Sequence, residues 1–224
     1  YLHFMLTGIL EDMLFSDWIK LDVPLPFAQR LMIPFLVRVV HHLFPDYLSI
    51  IDWFCVFELI FLGLMFFVLF NLLKKSFSND QSLLLCWLFL LILPLMNVIN
   101  YRYTIFSESV LYFHYDIPSL FFCVVGFYLC LESRWVLFCS CVFLATFNRE
   151  TSGLLVLMVP ILHAHPIKRV LKPSLYALFS FFLAKVILCW ILKDHPGLWA
   201  ELIDARRGIT NFELNIRWLF LEQQ

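Results

Sequence analysis

Two polar segments, separated by apolar sequence, contain the residues best suited to chemistry. They are residues 112–118, YFHYDIP, and residues 148–151, NRET. If the sequence between them forms a helical hairpin that crosses a membrane and returns, Asp116, Arg149 and Glu150 lie on the same side. A carboxylate there could take a proton from a hydroxyl group, and an arginine could hold a phosphate by charge-assisted hydrogen bonds. The two segments are therefore the predicted working surface.

The composition is typical of a membrane protein. Hydrophobic residues make up 62% of the chain and charged residues 15%, whereas soluble domains carry about 25% charged residues. The mean hydropathy is +0.86. Residues 61–70 and 83–93 are continuously apolar, which excludes the alternating strands of a β-barrel. Because lipid leaves only helices or closed barrels for the backbone, the sequence predicts an all-α fold, a polytopic transmembrane helical bundle.

We expect one integral membrane domain, residues 1–224. Residues 1–46 are predicted to form an outer loop and an interfacial helix, residues 47–192 the transmembrane bundle, and residues 193–224 an outer amphipathic tail. Residues 1–10 are apolar but shorter than the ~20 residues that a span needs. We therefore expect them to be the end of a longer first helix.

The positive charges predict the orientation of the bundle. On one side, the turns after residue 47 hold Lys74, Lys75, Arg134, Lys168, Arg169 and Lys172. On the other side, the turns hold only Arg102 and Arg149. The first set is cytoplasmic by the positive-inside rule. This assignment places four acids near the outer face: Asp52, Glu108, Asp116 and Glu150.

Residues 27–44 are predicted to form a helix with a polar stripe. At about 100° per residue, Arg30, Pro34, Arg38 and His41 fall in one sector, and apolar residues cover another side. This pattern indicates a helix in the membrane interface, or a span with one polar seam. Its cations either rest among lipid headgroups or bind a phosphate-bearing lipid.

The polar ends of the hairpin also have a purely structural interpretation. Asp116 fits an N-cap with a proline near the helix start, and Arg149 with Glu150 fits a cap with local ion pairing. The two arms, residues 117–131 and 135–147, are shorter than the ~20 residues of an independent span. Their length favours polar ends drawn into the membrane around a water-filled cavity, or re-entrant arms.

Several other kinds of site find no support. All seven cysteines lie in apolar segments without a CxxC pair, which indicates small buried side chains and not disulfides or metal ligands. His163 and His165 would point to different helix faces, so no metal site is predicted. The net charge of −1 and the lack of a basic arm give no argument for nucleic-acid binding. No cofactor motif is present.

Three short segments resemble the GT-C superfamily of multi-pass glycosyltransferases and its uncharacterised bacterial relatives. They are residues 29–34 (QRLMIP), 115–118 (YDIP) and 148–151 (NRET). The resemblance implies an acidic motif in the first outer loop, interfacial helices after it and a bundle of unequal spans in a bacterial inner membrane. It also implies that Glu11 and Asp12 match the acidic catalytic pair of the family.

The resulting hypothesis is sugar transfer from a polyprenyl-phosphate-linked donor at the outer face. Glu11 or Asp12 would take the proton of the acceptor, and arginine would hold the leaving phosphate. The predicted substrate-binding residues are Arg30, Arg38, His41, Arg102, Asp116, Arg149 and Glu150. The predicted partners are the bilayer, the lipid-linked sugar and other membrane proteins.

Two alternatives come from other classes of protein. Asp52, Glu58 and Lys185 are predicted inside membrane spans, where charges serve the ion paths of transporters. A transporter or lipid-handling protein is therefore one alternative, although no internal repeat supports it. The other alternative is a structural subunit of a membrane complex, in which the embedded charges pair with partner helices.

Overall fold

The computed structural model describes residues 7–8, 15–23, 27–98, 110–111, 114–163, 167–195, 203–204 and 209–210. Within these ranges the α-helices are α1 (Phe15–Lys20), α2 (Met32–Leu43), α3 (Ile50–Leu73), α4 (Asn79–Val98), α5 (Asp116–Leu131), α6 (Trp135–Asn148), α7 (Gly153–Leu162) and α8 (Ile167–Ile191). Two 3-10 helices cover Phe27–Gln29 and Glu150–Ser152. The predicted helical class is confirmed.

Short strand pairs add little to this architecture. β1 (Thr7–Gly8) pairs in parallel with β2 (Val110–Leu111), and β3 (Ile203–Asp204) pairs antiparallel with β4 (Ile209–Thr210). Each strand has two residues, too few to bury a hydrophobic face of their own.

Two helices are long and apolar enough to cross a membrane. They are Ile50–Leu73 and Val170–Ile191, and only 17% of the most apolar window of each is buried. Most residues of these two helices are half-buried or exposed. The other helices between them are apolar but shorter.

Side-chain contacts define two ends of the helix bundle. α3 and α5 run in the same direction, because Phe54 contacts His114 at one end with ring centroids 5.0 Å apart and Lys75 pairs with Glu132 at the other. We call the end with His114 the polar end and the end with Lys75 the lysine end. α6 returns from the lysine end to the polar end.

The hairpin of α5 and α6 has the predicted short arms. At about 1.5 Å per residue, the 16 and 14 residues extend roughly 24 and 21 Å, less than the ~30 Å of a hydrocarbon core. At the turn, Ser133 has a left-handed φ of 55°. The Arg134 N–H donates to Leu129 O at 3.0 Å, so the carbonyls at the end of α5 are satisfied.

The predicted continuous helix over residues 27–44 is wrong. A 3-10 helix covers Phe27–Gln29, and α2 begins at Met32. Arg30 therefore lies before α2, and it is 5% exposed because its guanidinium enters the interior. Pro34 is buried and Arg38 is exposed, so these residues form no common stripe.

The principal core lies among α5, α6, α7 and α8. Its buried members are Phe122, Leu129, Cys130, Phe138, Cys141, Val142, Ala145, Leu155, Val156, Val159, Val170 and Ala177. α5 and α7 approach closely at Gly126, where a Cβ atom would lie 3.1 Å from Leu155 Cδ2. A second cluster at the polar end joins α1, α2, α3 and Tyr115.

Gly126→Leu should weaken the packing of α5 against α7. We expect a loss of about 1 to 3 kcal/mol in the free energy of unfolding, the usual cost of overpacking, measured by denaturation in mixed micelles. Gly63→Leu is the matched control, because nothing lies within 4 Å of a Cβ atom there. It should change stability by less than about 0.5 kcal/mol. Equal effects of the two substitutions would contradict the close approach.

Candidate functional site

Tyr115 is the centre of the polar end. It is the residue before α5 and is 2% exposed. The Arg30 guanidinium lies 4.2 Å from the ring centroid, and Arg30 Nη1 donates a hydrogen bond to the Tyr115 hydroxyl. The Arg149 guanidinium lies 5.4 Å from the same centroid. Cation–π attraction thus gathers two arginines around one aromatic ring.

Two ion pairs connect these arginines to the predicted acids. Arg149 Nη1 lies 2.9 Å from Asp116 Oδ1, and Arg30 Nη2 lies 3.5 Å from Glu150 Oε1. The Arg30 side chain is 6% exposed, whereas the side chains of Arg149, Asp116 and Glu150 are about one third exposed. One pair is therefore partly sequestered from solvent and the other is accessible.

The capping interpretation of these acids is wrong. The N-cap of α5 is Tyr115, and α5 has no side-chain cap hydrogen bond. Arg149 occupies the N-cap of the 3-10 helix Glu150–Ser152, which also has none. The carboxylates bind distant arginines and not their own helix ends.

Asn148 holds the two ends of the hairpin together. It is 1% exposed, and its Nδ2 donates to Tyr115 O at 3.0 Å and to Ser119 Oγ at 2.9 Å. Ser119 Oγ itself donates to Tyr115 O at 2.7 Å. These bonds fix Arg149 and Glu150, the next residues along the chain, beside the start of α5.

α8 reaches the same region through Lys185. Its Nζ donates to Gln29 Oε1 at 2.7 Å, and Gln29 is 2% exposed. Lys185 therefore connects α8 to the segment that carries Arg30. The sequence placed Lys185 within a span but contained no signal for this partner, which lies 156 residues away.

His114 is a buried histidine next to Tyr115, and no pattern in the sequence distinguishes it from the rest of the YFHYDIP segment. It is 3% exposed, with its ring centroid 4.4 Å from that of Trp18 and 5.0 Å from that of Phe54. Burial lowers the pKa of His114 to about 3, and the nearby positive charge of Arg30 contributes to the decrease. The imidazole is neutral in the folded protein at ordinary pH.

A cavity of about 420 Å³ opens beside the Asp116–Arg149 pair. Its polar lining consists of Asp116, Ser119, Arg149, Thr151 and Ser152. Its apolar lining consists of Leu120, Phe122, Cys123, Ala145, Leu154, Leu155 and Met158. A cation and hydroxyl groups next to hydrocarbon walls suit a ligand with an anionic group and an apolar chain.

The arginine and carboxylate of this site retain unused hydrogen-bonding capacity. Arg149 Nε and Glu150 Oε2 are both buried and have no hydrogen-bond partner within the described ranges. Buried polar atoms are seldom left unsatisfied. The polar end therefore holds one donor and one acceptor whose hydrogen-bonding capacity the described residues do not use.

The predicted site residues fall into three groups. Arg30, Asp116, Arg149 and Glu150 come together around Tyr115. Arg38 and His41 lie on α2, where Arg38 is exposed and His41 is half-buried. Among the described residues, neither contacts Tyr115 or its two arginines. Glu11, Asp12 and Arg102 lie outside the described residues. The roles of all of them in binding and catalysis stay predictions.

No group of three or more His, Cys, Asp or Glu residues that could hold a metal ion occurs in the part of the chain that the structure describes.

Neither a protein-family model, nor a curated protein, nor a solved structure matches the chain. The resemblance of its three short segments to the GT-C superfamily therefore stays a prediction.

Proposed function

We propose that the chain is a polytopic membrane protein whose helices α3 to α8 cross the bilayer. Apolar side chains cover the outward surface of the bundle, and an apolar surface that extends over many residues requires lipid or protein around it. Residues that are more than half exposed include Leu59, Phe67, Leu84, Trp87, Leu91, Val136, Leu154, Ile161, Phe179, Val186 and Trp190. The short helices require a locally thinned or indented membrane.

In this proposal α2 lies in the interface at the polar end. Phe35, Val39 and Leu43 recur at helical spacing, and all three are exposed. Arg38 and His42 are exposed as well. An apolar row flanked by cationic side chains is typical of a helix that inserts one face among headgroups.

The proposed activity of the polar end is binding of a phosphate-bearing lipid of the polyprenyl-phosphate class in the 420 Å³ cavity. The observation that carries this proposal is that Arg149, whose side chain is 36% exposed, lines a cavity that also has hydroxyl groups and apolar walls. The lipid phosphate would accept hydrogen bonds from Arg149 and from the serine and threonine hydroxyls. The polyprenyl chain of the lipid would extend along the apolar walls of the cavity.

The further step is transfer of a sugar from that lipid. An acceptor hydroxyl would attack the anomeric carbon, the bond from that carbon to the phosphate oxygen would break, and polyprenyl phosphate would leave. A carboxylate takes the hydroxyl proton, and Glu11 or Asp12 is the proposed base. Incubation of the purified protein with polyprenyl-phosphate-linked sugars and acceptors tests this step. Binding without transfer would assign the protein to lipid handling.

Lys185 supports this proposal over a structural subunit. That alternative relied on embedded charges that need partner helices. The hydrogen bond from Lys185 Nζ to Gln29 Oε1 satisfies one of these charges within the chain itself.

Arg149→Met should weaken the binding of polyprenyl phosphate by about 10- to 100-fold, because a hydrogen bond to a charged group contributes about 1.5 to 3 kcal/mol. Affinity is measured on the detergent-solubilised full chain by native mass spectrometry. Polyprenol, which has no phosphate, should bind the wild type and the variant equally.

Arg134→Met is the matched control for charge, because Arg134 is exposed at the lysine end of the bundle and does not line the cavity. Its affinity for polyprenyl phosphate should equal that of the wild type. Asp116→Asn removes the acid that competes for Arg149 and should retain binding. Unchanged affinity in a folded Arg149→Met variant would overturn the assignment of the cavity.

A further inference from the structure

A second and larger groove lies at the lysine end. It has a volume of about 1190 Å³, and its lining comes chiefly from α6 and from the first half of α8. Its lining residues are Ser133, Trp135, Val136, Cys139, Ser140, Phe143, Leu144, His163, Lys172, Pro173, Tyr176, Phe179 and Ser180. None of them lines the cavity beside Asp116 and Arg149, so the two spaces are separate.

The lining of the groove includes polar side chains and one lysine. Lys172, His163 and Ser133 contribute to its lining, and Lys172 is exposed. His163 is held in place, because its Nε2 lies 2.8 Å from Cys130 O and its ring packs edge-on against Trp135.

Lys172 differs from the other lysines described at this end. Lys75 is paired with Glu132, and Lys74 lies over the ring of Phe70, 5.4 Å from its centroid. Lys172 forms no salt bridge with any residue in the described ranges. Its charge is therefore available to an anion.

The interior of the groove is apolar and elongated. Val136, Phe143 and Leu144 line it along α6, and Phe179 lines it along α8. The eight residues from Val136 to Phe143 extend roughly 12 Å. The groove is thus long enough for a stretch of acyl chain, and its volume exceeds the ~300 to 1,000 Å³ of sites for drug-sized ligands.

We propose that this groove binds an anionic phospholipid of the cytoplasmic leaflet. The phosphate lies at Lys172 and Ser133, and one acyl chain lies between α6 and α8. Charge complementarity favours this ligand, because basic pockets between transmembrane helices on the cytoplasmic side bind anionic headgroups. The inference rests on the proposed membrane topology but not on the binding of polyprenyl phosphate at the polar end.

The test compares phosphatidylglycerol with phosphatidylcholine of the same acyl chains, bound to the purified full chain in a neutral detergent. Native mass spectrometry measures the occupancy of each lipid. We expect phosphatidylglycerol, which has a net negative charge, to bind about fivefold more tightly than zwitterionic phosphatidylcholine, the factor for about 1 kcal/mol per lysine near anionic lipid. Lys172→Gln should abolish this preference while the protein stays folded, since Lys172 is exposed.

Lys74→Gln is the matched control, because it removes a cation at the same end but outside the groove; the preference should persist. Ser140→Trp should fill the groove and reduce the binding of both lipids. Equal binding of the two lipids by the wild type, or an unchanged preference in Lys172→Gln, would overturn the proposal. A dimer that Ser140→Trp dissociates would assign the groove to a second copy of the chain and would also overturn it. Lys172→Gln should not affect the binding of polyprenyl phosphate at the polar end, so each of the two proposals can be refuted without the other.

Discussion

Arg30→Met should lower the free energy of unfolding by about 2 to 3 kcal/mol, because it removes a buried guanidinium together with its charge-assisted hydrogen bond and its cation–π contact. The substitution eliminates the hydrogen bond to the Tyr115 hydroxyl, the cation–π contact with the same ring and the ion pair with Glu150. Methionine keeps an unbranched apolar side chain of similar length, so the loss reports the charge more than the volume. Unfolding in mixed micelles of increasing denaturing-detergent content measures the change.

Arg38→Met is the matched control for this measurement. Arg38 is exposed on α2, and its replacement should change stability by less than about 0.5 kcal/mol. Glu150→Gln removes only the ion pair and leaves the Tyr115 contacts of Arg30, so it should cost less than Arg30→Met. If Arg30 and Arg38 proved equally dispensable, the convergence around Tyr115 would not contribute to stability.

The sequence predicted the hairpin of α5 and α6 because local information was sufficient. Its two arms are continuous apolar segments, and the turn between them contains polar residues. An out-and-back path requires that their polar ends meet. The short arms were also visible in the sequence, and they coincide with the helices Asp116–Leu131 and Trp135–Asn148.

Contacts over long sequence separations were not predictable. The Arg30–Tyr115 and Arg30–Glu150 contacts span 85 and 120 residues, and helical periodicity contains no information about such pairs. Periodicity alone placed Arg30 on a stripe with Arg38. The attraction of its guanidinium to Tyr115 and Glu150 instead accompanies a break in the helix before Met32.

The capping prediction failed for a related reason. Capping rules consider only the hydrogen bonds that a side chain can form with the backbone of its own helix. Asp116 has a competing partner, the Arg149 guanidinium at 2.9 Å, and the attraction between two full charges adds to that hydrogen bond what a neutral backbone N–H cannot supply. Tertiary structure therefore decides where this carboxylate points.

Acidification should destabilise the protein through His114, a second large effect. His114 lies in the turn ahead of α5, outside the helices proposed to span the membrane. Above its ordinary pKa of 6.5 the imidazole is neutral in both the folded and the unfolded chain. Below that pH the unfolded chain takes up a proton, whereas the folded chain does not until the pH reaches about 3. The contribution of His114 to stability is thus fully present above its pKa of 6.5 in the unfolded chain. It is lost as the pH falls toward its pKa of about 3 in the folded chain.

The expected size of this loss follows from proton linkage. One proton of difference between the unfolded and folded states changes the free energy of unfolding by about 1.4 kcal/mol per pH unit. Acidification from about pH 7.5 to about pH 4.5 should therefore cost about 2 to 3 kcal/mol through His114 alone. Unfolding curves of the full chain in mixed micelles at the two pH values measure the loss.

His114→Phe isolates the contribution of the histidine. Phenylalanine suits the aromatic surroundings of Trp18, Phe54 and Tyr115 and has no proton to gain. Asp116 and Glu150 are present in both proteins, so any effect of their titration cancels in the comparison. The variant should lose less stability than the wild type on acidification, by about 2 to 3 kcal/mol. The same loss in both proteins would show that His114 accepts a proton in the folded state, and that the imidazole is not sealed between α1, α3 and Tyr115.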